Sequence, residues 1–144
     1  MAYLPPYQGG TKGGRQSTLV LSLEGIENRK SAIVLGAGGG ARAIIYALLN
    51  DGWEVTITSR RIEQAQQISN AFVDHKLRIA DSFLNIELSN ADLIVNTTPV
   101  GMSPNTNQSP LPENLSLPPR VSVYDLVYNP RETKLVYDAR IQGI

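Results

Sequence analysis

The feature that most restricts what this chain can fold into is the hexapeptide Gly36-Ala37-Gly38-Gly39-Gly40-Ala41, set between an apolar run and a stretch of helical periodicity. The run Ala32-Ile33-Val34-Leu35 is continuously apolar and ends at glycine, the pattern of a short strand buried on both faces. Ala41 to Asn50 then places Ile44, Ile45, Leu48 and Leu49 at helical spacing, with Asp51-Gly52 as the stop. A G-x-G-x-x-A match, made by Gly36, Gly38 and Ala41, is specific when it joins a strand to a helix in this way. Gly36 permits the tight turn, Gly38 lets backbone approach a pyrophosphate, and Ala41 keeps the helix close to the sheet. The N–H groups of residues 38 to 41, Gly39 and Gly40 included, would then face phosphate from the positive end of the helix dipole. Arg42 either adds charge there or is a solvated helix residue.

Beyond the turn, strands and helices alternate. Trp53 to Thr58 reads as a second strand, Ile62 to Phe72 as a second helix, and Leu77 to Ala80 as a weaker third strand. Leu93 to Asn96 and Val121 to Asp125 are two more strands, and Thr133 to Gln142 is a last helix. The order implies an α/β, Rossmann-type fold: a doubly wound, mainly parallel sheet with helices on both faces. The first 16 residues, rich in Gly, Pro and Tyr, carry no apolar period and read as a flexible or appended leader; Thr18 to Glu24 fits one or two helical turns. Residues 17–144 are expected to form one domain, with a C-terminus that stops short of the full fold. The stretch 102–120 holds five prolines among polar residues and reads as a solvated surface loop, with a lid or docking surface as the other reading.

Composition removes several function classes. The 144 residues, 42% of them apolar, suffice for one core and leave no room for a second full domain. Thirteen basic and 13 acidic residues cancel without a block of either sign, so bulk electrostatics favour neither nucleic acid nor a membrane surface. Without cysteine there is no disulfide framework or thiolate nucleophile, and the single histidine, His75, has no partner set for a metal. No signal-peptide or membrane-span pattern occurs in these residues, and the expectation is a cytoplasmic protein.

The tip of the second strand addresses cofactor choice. Dinucleotide domains that bind NAD carry an acid about 20 residues beyond the glycines for the ribose hydroxyls, whereas those binding NADP place arginine near the 2′-phosphate. Here that position holds Ser59-Arg60-Arg61. A guanidinium meets phosphate in a charge-assisted, bidentate way, so Arg60 is the first candidate, Arg61 the second, and Ser59 a hydroxyl donor; NADP is the expected cofactor. The competing reading is two solvated arginines opening a helix, where they would oppose the dipole unless an anion sits there. The missing acid also argues against an S-adenosylmethionine methyltransferase.

Three segments carry a family resemblance. Asn96-Thr97-Thr98-Pro99-Val100-Gly101-Met102 is similar to the N-[TA]-T-P-x-G-M segment of the shikimate dehydrogenase family, and Ser59-Arg60-Arg61 resembles its Asn-Arg-Thr cofactor motif. Tyr124-Asp125-Leu126-Val127-Tyr128-Asn129-Pro130, followed by Thr133, Leu135 and Ala139, resembles its D-[LIM]-[VI]-Y-x-P-x-x-T-x-L-x-x-x-A segment. Together the matches run from about residue 24 to the end. The resemblance implies that Gly36 to Gly40, Ala37 included, hold the pyrophosphate and that Ser59 to Gln64 hold the adenosine phosphate. It implies that Thr97 and Thr98 lie near the nicotinamide ribose and that Leu126 borders the nicotinamide. Tyr128 would reach toward the hydroxyls of shikimate; from the residues alone it is a surface tyrosine.

The resemblance also has a limit. The family's substrate domain carries a lysine and an aspartate in S-x-P-x-K and N-T-D contexts, and neither segment occurs in these residues. Lys12, Lys30 and Asp125 are not in those motifs and inherit no catalytic role. The expectation is therefore the NADP(H)-binding half of an enzyme that interconverts 3-dehydroshikimate and shikimate, with no catalytic residue of its own and little or no turnover alone. The alternatives are a non-catalytic NADP(H)-binding module and a quinate-directed relative. Removing a partner domain would leave an apolar face near the strand C-termini, so self-association is expected to be open to it.

Overall fold

Five short runs of β-branched and apolar residues pair into one sheet in the computed structural model, which describes residues 30–144. The elements are β1 (Ser31–Leu35), α1 (Gly39–Asn50), β2 (Glu54–Thr58), α2 (Ile62–Phe72), β3 (Leu77–Ala80), β4 (Leu93–Asn96), β5 (Ser122–Asp125) and α3 (Lys134–Ile141). Two 3-10 turns, Phe83–Asn85 and Leu88–Asn90, lie between β3 and β4. The expected leader and the expected helical turns at Thr18 to Glu24 lie outside the described residues. Among the described residues no helix is long and apolar enough to cross a membrane.

The strand order is β3-β2-β1-β4-β5 and every pairing is parallel. From β1 the chain winds outward through β2 and β3, then returns to lay β4 and β5 on the other side. The reversal lies between β1 and β4, where doubly wound sheets open their ligand crevice. Register brings the strand ends level: Leu35 pairs with Thr58 and Asn96, Thr58 with Ala80, and Asn96 with Asp125. Gly36, Ser59, Asp81, Thr97 and Leu126 therefore all leave the sheet along one edge.

Successive residues of β1 feed opposite cores. Val34 joins Val55 and Ile57 under α1 and α2, through Ala41, Ile45, Ala65 and Ile68. Ile33 and Leu35 join Ile94 and Val121 on the other face, beneath Leu135 of α3. Each fully buried valine, leucine or isoleucine among them stabilises the fold by about 1.5–3 kcal/mol relative to exposure. Ala41 and Ala65, both at 0% exposure, are small enough to let the helix axes approach the strands. The doubly wound, parallel sheet with helices on both faces is thus the architecture observed.

Boundaries shift for local reasons. The first helix begins at Gly39, two residues before its apolar period, because Gly38 already serves as N-cap and its carbonyl accepts the Arg42 N–H at 3.1 Å. Trp53 falls outside β2 because its N–H closes the helix turn on the Leu48 carbonyl at 3.0 Å. Val121 bonds back to the Pro118 carbonyl, so β5 starts at Ser122, and Thr133 and Gln142 are caps of α3.

The larger correction concerns 102–120. Its first part, Met102 to Gln108, is exposed as expected of a solvated loop. Leu111, Leu115 and Leu117 instead pack on the second core, and the Gln142 amide accepts the Leu117 N–H at 2.9 Å while donating to the Leu115 carbonyl at 3.1 Å. The segment covers the sheet where a crossover helix would otherwise lie.

Candidate functional site

The glycine turn is built against the tip of β4. Gly36 has φ +107°, its N–H donates to the Thr58 carbonyl at 2.8 Å, and a Cβ there would stand 2.6 Å from Thr97 Oγ1 and 3.0 Å from Thr98 Cγ2. Only glycine meets both conditions. Thr97 holds its side of the contact by donating from both backbone N–H and hydroxyl to the Leu35 carbonyl, at 2.9 and 2.7 Å. Its hydroxyl hydrogen is therefore engaged within the floor of the site and leaves only oxygen lone pairs for anything above. Gly38 and Gly39 differ: a Cβ on either would meet nothing within 4 Å, so the backbone is open on that side. Ala41, in the first turn of α1, is at 0% exposure, and Gly40 abuts Leu126, whose Cδ1 would be 3.2 Å from an added Cβ.

A cleft of about 1390 Å³ begins at this turn. Gly36, Ala37, Gly38, Ser59, Arg60, Arg61 and Thr97 line it together, along with Thr98 and Gln64. Its volume exceeds the range of about 300–1,000 Å³ that suits ordinary small ligands. The Ser59 hydroxyl accepts the Arg61 N–H at 3.1 Å, fixing the turn that presents both exposed guanidinium groups. Among the described residues neither Arg60 nor Arg61 has a carboxylate oxygen within 4.0 Å. Arg42 is exposed and lines no part of the cleft.

The far wall was not legible as part of the site. Asp81, Ser82 and Phe83, after β3, line the cleft, as do residues 107–117 and the side of α3 carrying Lys134 and Asp138. Lys134 bonds Asp138 at 2.7 Å, and that hydrogen bond raises the ammonium pKa above the ordinary lysine value despite a smaller opposing desolvation effect. Only the level strand ends predict Asp81 to Phe83, and register cannot be read from one sequence. Of the remaining singled-out residues, Leu126 touches the turn from outside the cleft, and Tyr128 is 87% exposed beyond it. A second cleft, of about 1090 Å³, is lined by the N-terminal halves of β1 and β2 and by the two 3-10 turns; it shares Asp81 with the first and holds none of the glycine-turn, arginine-pair or Asn96-segment residues.

Beneath the cleft lies a polar network. Asn96, at 0% exposure, donates through Nδ2 to Asp125 Oδ1 at 2.9 Å and to the Val100 carbonyl at 3.3 Å; its Oδ1 accepts the Thr98 N–H at 3.0 Å and the Thr98 hydroxyl at 2.7 Å. Asp125 also accepts the Val127 N–H at 2.9 Å and the Thr133 hydroxyl at 2.7 Å. No buried side-chain nitrogen or oxygen among the described residues lacks a partner.

Known proteins are similar to this chain in sequence and fold. The shikimate / quinate 5-dehydrogenase family profile matches residues 20–109, more than half of the chain. Shikimate dehydrogenase (NADP(+)) of Synechocystis sp. is 37% identical over 123 residues, covering 80% of this chain and 42% of the relative. The same enzyme of Methanosarcina mazei is 38% identical over 142 residues, 94% of this chain and 50% of the relative. Shikimate 5-dehydrogenase of Thermus thermophilus, solved with NADP(H) and shikimate, superposes with a TM-score of 0.69 at 34% identity, covering 91% of this chain and 47% of that one. The chain thus spans about half the length of the relatives it matches. With the profile over most of its length and the glycine turn, arginine pair and Asn96 segment in one cleft, the chain belongs to the shikimate/quinate 5-dehydrogenase family.

Proposed function

We propose that residues 17–144 are the NADP(H)-binding domain of a shikimate dehydrogenase, which reversibly reduces 3-dehydroshikimate to shikimate. The observation that carries this reading is the convergence of Gly36 to Gly38, Ser59 to Arg61 and Thr97 on one cleft at the sheet's reversal point. The group fits these residues. The open sides of Gly38 and Gly39 leave room for a pyrophosphate against the N-terminus of α1, and the carboxylate-free arginines at the β2 tip leave two cations for a 2′-phosphate. Thr97, Thr98 and Leu126 stand on the β4 and β5 side of the turn and flank the other half of the dinucleotide.

The cofactor supplies hydride when bound; the chain's own residues bind and orient it. Ala41 and Gly40 set α1 close to the sheet, and Tyr128 reaches toward the substrate beyond the cleft. Proton transfer at the substrate oxygen needs a positioned acid or base. The S-x-P-x-K and N-T-D segments that carry the family's lysine and aspartate are not in these residues, so the 144-residue chain by itself gives little or no turnover.

The test is a fluorescence titration of the chain with NADPH and NADH, repeated on Arg60→Ala. A charge-assisted bond to the 2′-phosphate is worth about 1.5–3 kcal/mol, so NADPH should bind about tenfold to hundredfold tighter than NADH, with most of that margin lost in Arg60→Ala. Equal affinities untouched by the substitution would refute the 2′-phosphate assignment. Enzyme-like rates from these residues alone would refute the division of labour.

A further inference from the structure

We propose that Asn96, Asp125 and Thr133 act together as a positioning device for the half of the cofactor that lies beyond the pyrophosphate. The inference rests on the NADP(H) reading above. With the adenosine phosphate at the β2 tip and the pyrophosphate at the glycine turn, the rest of the dinucleotide must extend over β4, where Thr97 and Thr98 form the surface. Those two threonines are held from beneath. The Thr98 hydroxyl donates to Asn96 Oδ1 at 2.7 Å and accepts the Val100 N–H at 3.2 Å; Asn96 in turn donates to Asp125. Asp125 takes the hydroxyl of Thr133, whose oxygen caps α3 by accepting the Val136 N–H at 3.3 Å.

The network thus joins the first turn of α3 to the site floor through three side chains. Two of them, Asn96 and Thr133, are the buried polar residues of the described chain, at 0% and 1% exposure. None of the three lines the cleft. A buried group of this kind is held in one geometry because every alternative leaves a polar atom without a partner. Asn96 and the Val100 N–H hold Thr98 in the rotamer that sets its methyl group against Gly36, 3.0 Å from where a Cβ would be. A shift of α3 reaches the glycine turn by this route.

The test uses the 144-residue chain with Thr133→Val, which keeps the shape and removes the hydroxyl, and Thr133→Ser, which restores it. Two probes separate the halves of the site: NADPH, and adenosine 2′-monophosphate, which carries the adenosine phosphate and lacks both the pyrophosphate and the nicotinamide half. Thr133→Val should weaken NADPH by about threefold to tenfold, at most the full worth of the one hydrogen bond removed, and leave the monophosphate unchanged. Thr133→Ser should return NADPH to the wild-type affinity. Unchanged NADPH affinity in folded Thr133→Val, or an equal loss for both probes, overturns the proposal. If Thr133→Val fails to fold, Asp125→Asn carries the same two titrations. Failure of the wild type to bind either nucleotide would instead sink the cofactor reading. The positioning claim then still has a ligand-free readout: amide resonances of Thr98 and Gly36 that stay unmoved in whichever variant folds would overturn it.

Discussion

Gly36 and Gly38 are two residues apart in one turn, yet alanine at each should damage different properties. At Gly36 the backbone stands at φ +107°, and an added Cβ would be 2.6 Å from Thr97 Oγ1 and 3.0 Å from Thr98 Cγ2. Holding a non-glycine residue at such a dihedral costs about 1–3 kcal/mol. Relieving the contact means moving Thr97 away from the Leu35 carbonyl, and the net loss of that hydrogen bond adds about 1 kcal/mol. Gly36→Ala should therefore destabilise the domain by about 3 kcal/mol, a large share of the roughly 5–15 kcal/mol of a typical domain. Gly38 has φ −87° and ψ −165°, open to any residue, with no atom within 4 Å of an added Cβ. Gly38→Ala should leave stability within about 0.5 kcal/mol, while its methyl group occupies the space a pyrophosphate needs and weakens NADPH about tenfold or more.

The assay is urea unfolding followed by the fluorescence of Trp53, the single tryptophan, paired with NADPH titration of each folded variant. Gly36→Ala should lower the midpoint with an unchanged slope, the signature of lost native stability. Gly38→Ala should keep the midpoint and lose the ligand. A Gly36→Ala variant within about 1 kcal/mol of wild type would refute the strain and contact argument. Equal destabilisation by both alanines would refute the division of roles between the two glycines.

Three further outcomes follow from the packing. Leu111→Ala should cost about 2–3 kcal/mol in the same unfolding assay, because Leu111 is 9% exposed in the core with Ile33, Leu35 and Ile94, whereas a solvated loop residue would change it by under about 0.5 kcal/mol. Gln142→Ala should remove the side-chain bonds that hold Leu115 and Leu117, costing about 1 kcal/mol, and limited proteolysis should then cut between residues 109 and 117 faster than in wild type. The Lys134 ammonium is held above its ordinary 10.5 by the hydrogen bond to Asp138, so the pair's contribution is complete below that value and fades as pH rises through the raised one. Unfolding midpoints of wild type and Asp138→Asn should differ at neutral pH and converge in the alkaline range; a difference that persists there would point to packing instead.

The first half of the domain was readable because its elements carry their own period. β1 is apolar at every position after Ser31, α2 was bounded at Ile62 and Phe72 as observed, and Gly36 sits at the strand end where a tight turn requires it. The arginine pair was readable for a similar reason, since a strand tip and its distance from the glycines are local quantities. What could not be read depends on contacts between distant segments. Leu111, Leu115 and Leu117 have neither a helical nor a strand period, and their burial follows from Gln142 and the second face of the sheet. Asp81 to Phe83 join the cleft only because β3 ends level with β2. Thr133 and Asp125 fell inside a recognised segment, yet the segment gave no hint that they bond to each other and, through Asn96, to the floor under Gly36.

The residues legible in sequence, the glycines and arginines, lie on loops that one strand end can place. The residues that fix those loops, Thr97, Asn96 and Asp125, act across β1, β4 and β5, and their role exists only once the parallel register is set. A variant that preserves every residue of the glycine turn can therefore still lose the site by loosening β4 against β1.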